Sequence, residues 1–526
     1  MPDVTANLYD SIVYPGFALP QAHPDRLATL ATLFGMTPAD VSRCHILELG
    51  CGDGANLIAT AVELPEAECV GVDLAAAGIN KGQAIVRELG LKNITLRQFD
   101  MMDISRDFGQ FDFIVAHGIY SWVPPVVRDK LLTICKDNLA ENGVAYVSYN
   151  TYPGCHFRDM IRQMMLYHVR DFSHPEQQID EGRALVKFLA ESGMGNESYQ
   201  KSLQAELQSI GERPDHAIFH DEMEENNAPV YFHQFAEHAA RYGLQYLSEA
   251  DFVEIQIGVC PPKVLEVLKQ VSGNRIAQEQ YLDFLKGRHF RQTLLCHAGV
   301  ALDDEPRISS LRRFSVSSPL RPETSPVDCF SHEAAVFLGT EGRSIKTENP
   351  LMKAALFTLS RAWPHALPFN DLLNEARALC GRVSAQNGEE VLHDIRVLAT
   401  SLLRAYAGTI IEFHVLPPRF LSQPSEHPVV SPLARLQARG GKRVTNFRHE
   451  NLSIEGGLER HLLQLLDGSR DRSILLDELS RLVERGAFTV LKDGEAITDL
   501  EVARQMIAAG LEEKLVAIGR NALLVA

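Results

Sequence analysis

Residues 44–56 read CHILELGCGDGAN, with a carboxylate at Glu48, glycines at Gly50, Gly52 and Gly54, the small Cys51 between them and an amide at Asn56. Glycines lack a Cβ and let the backbone approach a ligand closely. A helix that starts just after them points free amide hydrogens at whatever binds there. The stretch also fits the G-x-G-x-x-A form of the dinucleotide fingerprint, so alone it marks a nucleoside-bearing ligand without choosing one. More candidate groups follow: Asp73 and Leu74 in CVGVDL, Asp100 with Met101 and Met102 after NITLRQ, and His117 and Gly118 at the end of FDFIVAHG. Asp73 suits the two hydroxyls of a ribose. Asp100 can accept from an adenine amine beside soft methionines that pack on the ring, and Glu48 can position the glycines or balance a cation. This set suits S-adenosylmethionine better than NAD.

Methyl transfer from a sulfonium is an in-line displacement, so acceptor and methyl must be held at attack distance and the acceptor needs a free lone pair. Aromatic faces attract both the sulfonium and a methylammonium product. Candidates for that side are Tyr120 and Trp122 in HGIYSW, and Tyr149 and Tyr152 in VSYNTYPG, with His117 and His156 as proton acceptors. Each aromatic is equally suited to a core or an interface.

These groups stand at or just past the ends of five apolar runs of strand length, HILELG, CVGVDL, NITLRQ, FDFIVA and VAYVSY, alternating with helical segments. That alternation predicts an α/β fold, a parallel Rossmann-like sheet with helices on both faces and a ligand crevice at its carboxyl edge. From His156 to about Arg241 the spacing is helical. Gly243 then caps a helix before the short apolar run from Leu244, which either returns to the same sheet or belongs to a separate helical domain.

The motifs ELGCGDGAN, the VD of GVDL, Phe99-Asp100 and FDFIVAHG resemble the successive motifs of class I S-adenosylmethionine-dependent methyltransferases. The opening YDSIVYPGFALPQAHPDRLATLATLFGM, with HGIYSWVPP, VSYNTYPG and YFHQFAEHAARYGLQYLSEADF, resembles bacterial methyltransferases that carry a methyltransferase regulatory domain. Among these are protein lysine methyltransferases acting on outer-membrane proteins. The resemblance implies S-adenosylmethionine as cofactor, a protein substrate with accessible lysines, and a leading segment that covers the cofactor with Tyr14 and His23 as wall residues.

The expected organisation is a covering segment at 1–40, the cofactor domain at 41–155, and a helical insertion and regulatory domain at 156–300 in which 230–250 returns to the sheet. A linker at 301–330, a winged-helix-like domain at 331–415, a second linker at 416–445 and a C-terminal winged-helix-like domain at 446–526 complete it. Residues 259–300 read as helical. With 51 basic and 68 acidic residues the net charge is −17. Such a surface repels phosphate backbones and anionic lipid, so neither nucleic acid nor membrane is expected; it would favour encounter with a basic partner, although solubility alone accounts for a charge of this sign. Nine cysteines without a C-x-x-C pair read as reduced thiols. The scattered histidines suggest no metal site, and no apolar run is long enough to span a bilayer. The amino terminus lacks a signal-peptide pattern, so the expected location is the cytoplasm. The helical insertion could also pair with a second copy, giving a homodimer. Two rival functions remain: a small-molecule or tRNA methyltransferase, and an S-adenosylmethionine-sensing interaction protein without turnover.

Overall fold

The computed structural model describes residues 16–224, 226–255, 260–382, 388–492 and 495–525. Its organising element is a seven-stranded sheet made of β1 (His45–Leu49), β2 (Glu68–Asp73), β3 (Ile94–Gln98), β4 (Phe111–Ala116), β5 (Leu139–Asn150), β6 (Leu244–Glu249) and β7 (Phe290–His297), in the order β3-β2-β1-β4-β5-β7-β6. The five strands read from the sequence run parallel, with Leu47 opposite both Val70 and Ile114. Their near-continuous apolar character follows from burial on both faces, with helices Pro24–Leu33 and Ala55–Glu63 on one side and Pro125–Asn138 and Phe232–Arg241 on the other. Order reverses next to β1, between strands that lead outward on either side. This is where an open α/β sheet leaves a crevice at its carboxyl edge.

Leu244–Glu249 does return to the sheet, as its edge strand, with Gly243 at φ 71° turning the chain out of the preceding helix. The helical expectation for 259–300 holds only in part. Pro262–Val271 and Arg275–Lys286 are helices, but Phe290–His297 is β7, antiparallel to both β5 and β6 and inserted between them. Its alternation is masked because the buried face carries Arg291 and Thr293. The Arg291 guanidinium is fully buried, bonded to Asp283 (Nε to Oδ2, 2.9 Å), Glu279 (Nη2 to Oε2, 3.1 Å) and Glu249, and lies 3.9 Å from the Phe232 ring centroid. A buried cation is tolerable only with such partners.

Between β5 and β6 the helices Cys155–Val169, Pro175–Glu191 and Glu197–Glu212 pack around Met165, Val186 and Leu203. The segment 301–330, expected as a linker, is instead built into the middle body. Ser315–Ser317 is the central strand of a three-stranded sheet between Leu367–Pro368 and Glu412–His414, with Phe314 and Val316 buried. The helices Pro350–Ala362, Phe369–Leu379 and Gly388–Ala407 complete that body, whose core runs on into helix Pro24–Leu33. The second expected linker, 416–445, is likewise partly structured. Helix Pro432–Gly440 and strand Arg443–Thr445 place Ala434, Ala438 and Val444 in the core of the C-terminal body. Short charged and proline-rich stretches hid both contributions.

Candidate active site

The glycine turn after β1 takes the form its composition requires. Gly50, Gly52 and Gly54 have φ of 62°, 59° and 72°, the left-handed region that side chains with a Cβ avoid. Among the described residues, a Cβ on Gly52 would meet nothing within 4 Å, which leaves room for a ligand to approach the backbone. A Cβ on Gly50 would strike Ile119 at 2.6 Å. Cys51 is buried under the turn, and burial raises its thiol well above the ordinary range, so it is a filler and not a nucleophile.

Asp73, at the end of β2, accepts from Gly52 N–H and Ala75 N–H, both at 2.8 Å, and so ties the glycine turn to the next helix. Two hydrogen bonds leave lone pairs on this carboxylate for ribose hydroxyls. Leu74 beside it is 50% exposed, an apolar surface at the sheet edge. Phe99 N–H donates to the Asp73 carbonyl at 2.9 Å, bringing the end of β3 alongside. There Asp100 caps a short turn through Met102 N–H at 2.8 Å, with Met101 half-buried and Met102 exposed. Past β4, Gly118 (φ 66°) is exposed and donates its N–H to Ser148 Oγ at 2.8 Å. His117 Nδ1 lies 2.9 Å from the Tyr146 hydroxyl, and burial pushes the imidazole pKa down to about 4, so at neutral pH the ring is uncharged. Glu48 is buried and accepts from Asn56 Nδ2 at 3.2 Å. Burial pushes its pKa up to about 7 against that hydrogen bond, helped by Asp53 and Asp73. A buried acid poised there suits a cationic ligand. Glu48, Gly50, Gly52, Asp73, Leu74, Asp100, Met101 and Gly118 thus lie along one edge of the sheet. Tyr14 lies outside the described residues.

On the acceptor side the four candidates separate. Tyr120 and Tyr149 are buried on the face covered by helices Pro125–Asn138 and Phe232–Arg241, where Tyr149 stacks on Phe235 at 4.1 Å. The Tyr120 hydroxyl is 2.8 Å from His238 Nδ1, and the Tyr149 hydroxyl is 3.0 Å from Thr293 Oγ1. Both rings therefore support the edge from within, the core role that the sequence left open beside an interface one. Trp122 is half-buried. His156 is exposed, stacked on Tyr152 at 4.0 Å, with Nε2 3.0 Å from the Tyr231 hydroxyl.

Tyr231 was not singled out in the sequence as a site residue. It reaches the end of β5 because Val230 bridges to Thr151, 79 positions away in the chain, which local pattern cannot reveal. Three further residues shape the glycine turn. Gly78 and Gly82 let the helix after β2 press on it, since a Cβ on Gly82 would lie 2.2 Å from the Asp53 carbonyl oxygen, and Lys81 pairs with Asp53 at 2.8 Å. An unexpected cluster, His23, Glu63 and His449, lies behind Asn56.

Family models match three parts of the chain: a methyltransferase domain over residues 46–143, a predicted methyltransferase regulatory domain over 214–297, and a PKMT C-terminal winged helix domain over 426–523. The uncharacterized protein RP789 of Rickettsia prowazekii is 34% identical over 526 residues, covering 99% of this chain and 94% of that protein. A second Rickettsia prowazekii protein, RP028, is 35% identical over 234 residues, or 44% of this chain and 94% of its own. Among solved structures, PKMT2 from Rickettsia typhi in complex with AdoHcy superposes with a TM-score of 0.85 at 28% identity, covering 98% of this chain and all of that one. AdoHcy is the product that S-adenosylmethionine leaves, and the edge just described has the groups to hold it. The chain belongs to the family of S-adenosylmethionine-dependent methyltransferases that join a Rossmann-like methyltransferase domain to a methyltransferase regulatory domain and a PKMT-type C-terminal winged helix domain.

Proposed function

We propose that this methyltransferase modifies lysine side chains of a protein substrate. The observation that carries the proposal is the end-to-end likeness to PKMT2, which extends past the cofactor domain through the regulatory and winged helix bodies. A metabolite needs no such additions, whereas a macromolecular acceptor has surface for them to grip. The net charge of −17 supports a basic partner over a phosphate backbone.

The cofactor supplies an electrophilic methyl on a sulfonium. This chain's residues have four tasks. Asp73 and the glycine turn bind the ribose end, with Leu74 and Met101 beside the base. Glu48 supplies negative charge near the cationic end. The acceptor amine, with an unperturbed pKa of about 10.4, has to shed a proton before its lone pair can attack. Trp122 and the Tyr152–His156–Tyr231 group flank the ends of β4 and β5, where an aromatic surface favours a desolvated, neutral amine and His156 Nε2 offers a relay for its proton.

Purified protein is to be incubated with methyl-labelled S-adenosylmethionine and a bacterial lysate, and the protein, RNA and metabolite fractions analysed separately. Methyl-lysine in protein that falls at least about a hundredfold with Asp73→Ala or Trp122→Ala is expected, a loss of about 3 kcal/mol in the transition state. Label confined to RNA or small molecules overturns the substrate assignment, and cofactor binding without label in any fraction overturns turnover itself.

A further inference from the structure

The hairpin formed by Arg443–Thr445 and Asn451–Ser453 belongs to the C-terminal body, yet its loop reaches the cofactor domain. At its tip His449 is buried with φ 60°. Its Nε2 lies 2.8 Å from Asn56 Oδ1 and its Nδ1 2.9 Å from Glu63 Oε1. Leu19 N–H donates to the same Asn56 oxygen at 2.9 Å, while Asn56 Nδ2 donates to Glu48. Those two bonds fix the orientation of the amide. Oδ1 is the acceptor, so His449 Nε2 carries a hydrogen. Nδ1 then faces Glu63 at 2.9 Å and bonds to it when the pair takes up one more proton, which burial of the ring opposes. Two residues further on, Asn451 grips Ala18 from both sides, accepting its N–H at 3.2 Å and donating to its carbonyl at 2.8 Å. Gly16, just upstream, lies so close to the cofactor turn that a Cβ on it would sit 2.1 Å from Asp53 Oδ1.

We propose that His449 is a positioning residue for the cofactor site: from the C-terminal body it fixes Asn56, and through Asn56 the Glu48 carboxylate, so that cofactor retention depends on that body being docked. Residues 446–451 thereby hold both the glycine-turn acid and the chain segment that runs over it. The inference concerns the cofactor and stands whatever the methyl acceptor is.

His23, Glu63 and His449 also bring their ligating atoms within 4.8 Å of one another, as a metal site would. The bonding at His23 speaks against a cation. His23 Nδ1 accepts from Asp25 N–H at 3.2 Å, so its Nε2 bears the hydrogen that faces Glu63 at 3.1 Å. A ring nitrogen already bonded to hydrogen offers no lone pair to a cation.

Two substitutions separate positioning from packing. In glutamine the amide nitrogen reaches the place of Nε2, so His449→Gln keeps the donor to Asn56. In asparagine it reaches only the place of Nδ1, so His449→Asn keeps the Glu63 contact and loses Asn56. Titration calorimetry of the full chain with S-adenosylmethionine and with AdoHcy reads the result, alongside thermal melts. His449→Asn is expected to weaken S-adenosylmethionine binding by about fivefold or more, the equivalent of one lost hydrogen bond, while His449→Gln stays within about twofold and both lower the melting temperature. Equal losses of affinity in the two variants, or no loss in either, overturn the proposal. So does stoichiometric zinc in the purified chain that disappears in both variants.

Discussion

In the cofactor site proposed above, Glu48 is the residue whose charge state matters most. Burial pushes its carboxyl up to about 7, so without a cation nearby it holds a proton for much of the acidic range. A cationic cofactor favours the carboxylate, so affinity rises with pH up to about 7 and levels off above. The steepest limit is about tenfold per pH unit. Calorimetry across that range is expected to show this profile in the wild type, with a flat and weaker one for Glu48→Gln. The stability consequence has the opposite sign. An acid whose folded pKa lies above its unfolded value costs stability as pH climbs from about 4.5 to 7, so cofactor-free Glu48→Gln is expected to be more stable than wild type at pH 8, by at most about 3 kcal/mol in urea unfolding. A wild type more stable than the variant at that pH would contradict the burial argument. The glycine turn and the strand-end acids were legible because each stands a fixed number of residues from an apolar run. Tyr120 and Tyr149 were identified as aromatics near the edge, but their side of the sheet depends on where helix Phe232–Arg241 packs, which no local spacing encodes. His449 was invisible for a plainer reason: it lies 393 residues from the asparagine it touches.

At the scale of elements, the parallel half of the sheet could be read strand by strand, because burial on both faces leaves uninterrupted apolar runs. β7 could not, since the buried Arg291 and Thr293 give it the look of a polar helix face. The same arginine makes β7 testable. Arg291→Met removes the cation that Glu249, Glu279 and Asp283 share, leaving Arg288 beside Glu279 and Asp283 and an apolar side chain against Glu249. Burial already raises Glu279 and Asp283 above their usual range even beside that arginine. Loss of about 3–5 kcal/mol in denaturant unfolding at neutral pH is expected, and it shrinks toward pH 4 as the acids take up protons. A variant within about 1 kcal/mol of wild type at both pH values would show that the arginine does not hold β5, β6 and β7 together. The two supposed linkers failed for a related reason. Ser315–Ser317 and Pro432–Gly440 are too short to declare a period, and they gain their apolar partners from distant segments.

For the whole molecule, the three bodies share more than a chain. The core of the middle body continues into helix Pro24–Leu33, where Asp25 receives Leu416 N–H and pairs with His414, both at 2.8 Å. The C-terminal body reaches helix Ala55–Glu63, which follows the glycine turn, through His449. Among the described residues, no helix is long and apolar enough to cross a membrane. Such an assembly suits an acceptor large enough to touch more than the catalytic edge. The most direct measurement uses one protein fraction in two forms, untouched and with its amines acetylated, each incubated with labelled S-adenosylmethionine and digested for mass spectrometry. Methyl groups on lysine in the untouched fraction, falling to background in the acetylated one, are the expected result. Equal labelling of both forms, or methyl groups on carboxylates, arginines or termini alone, would contradict lysine as the acceptor.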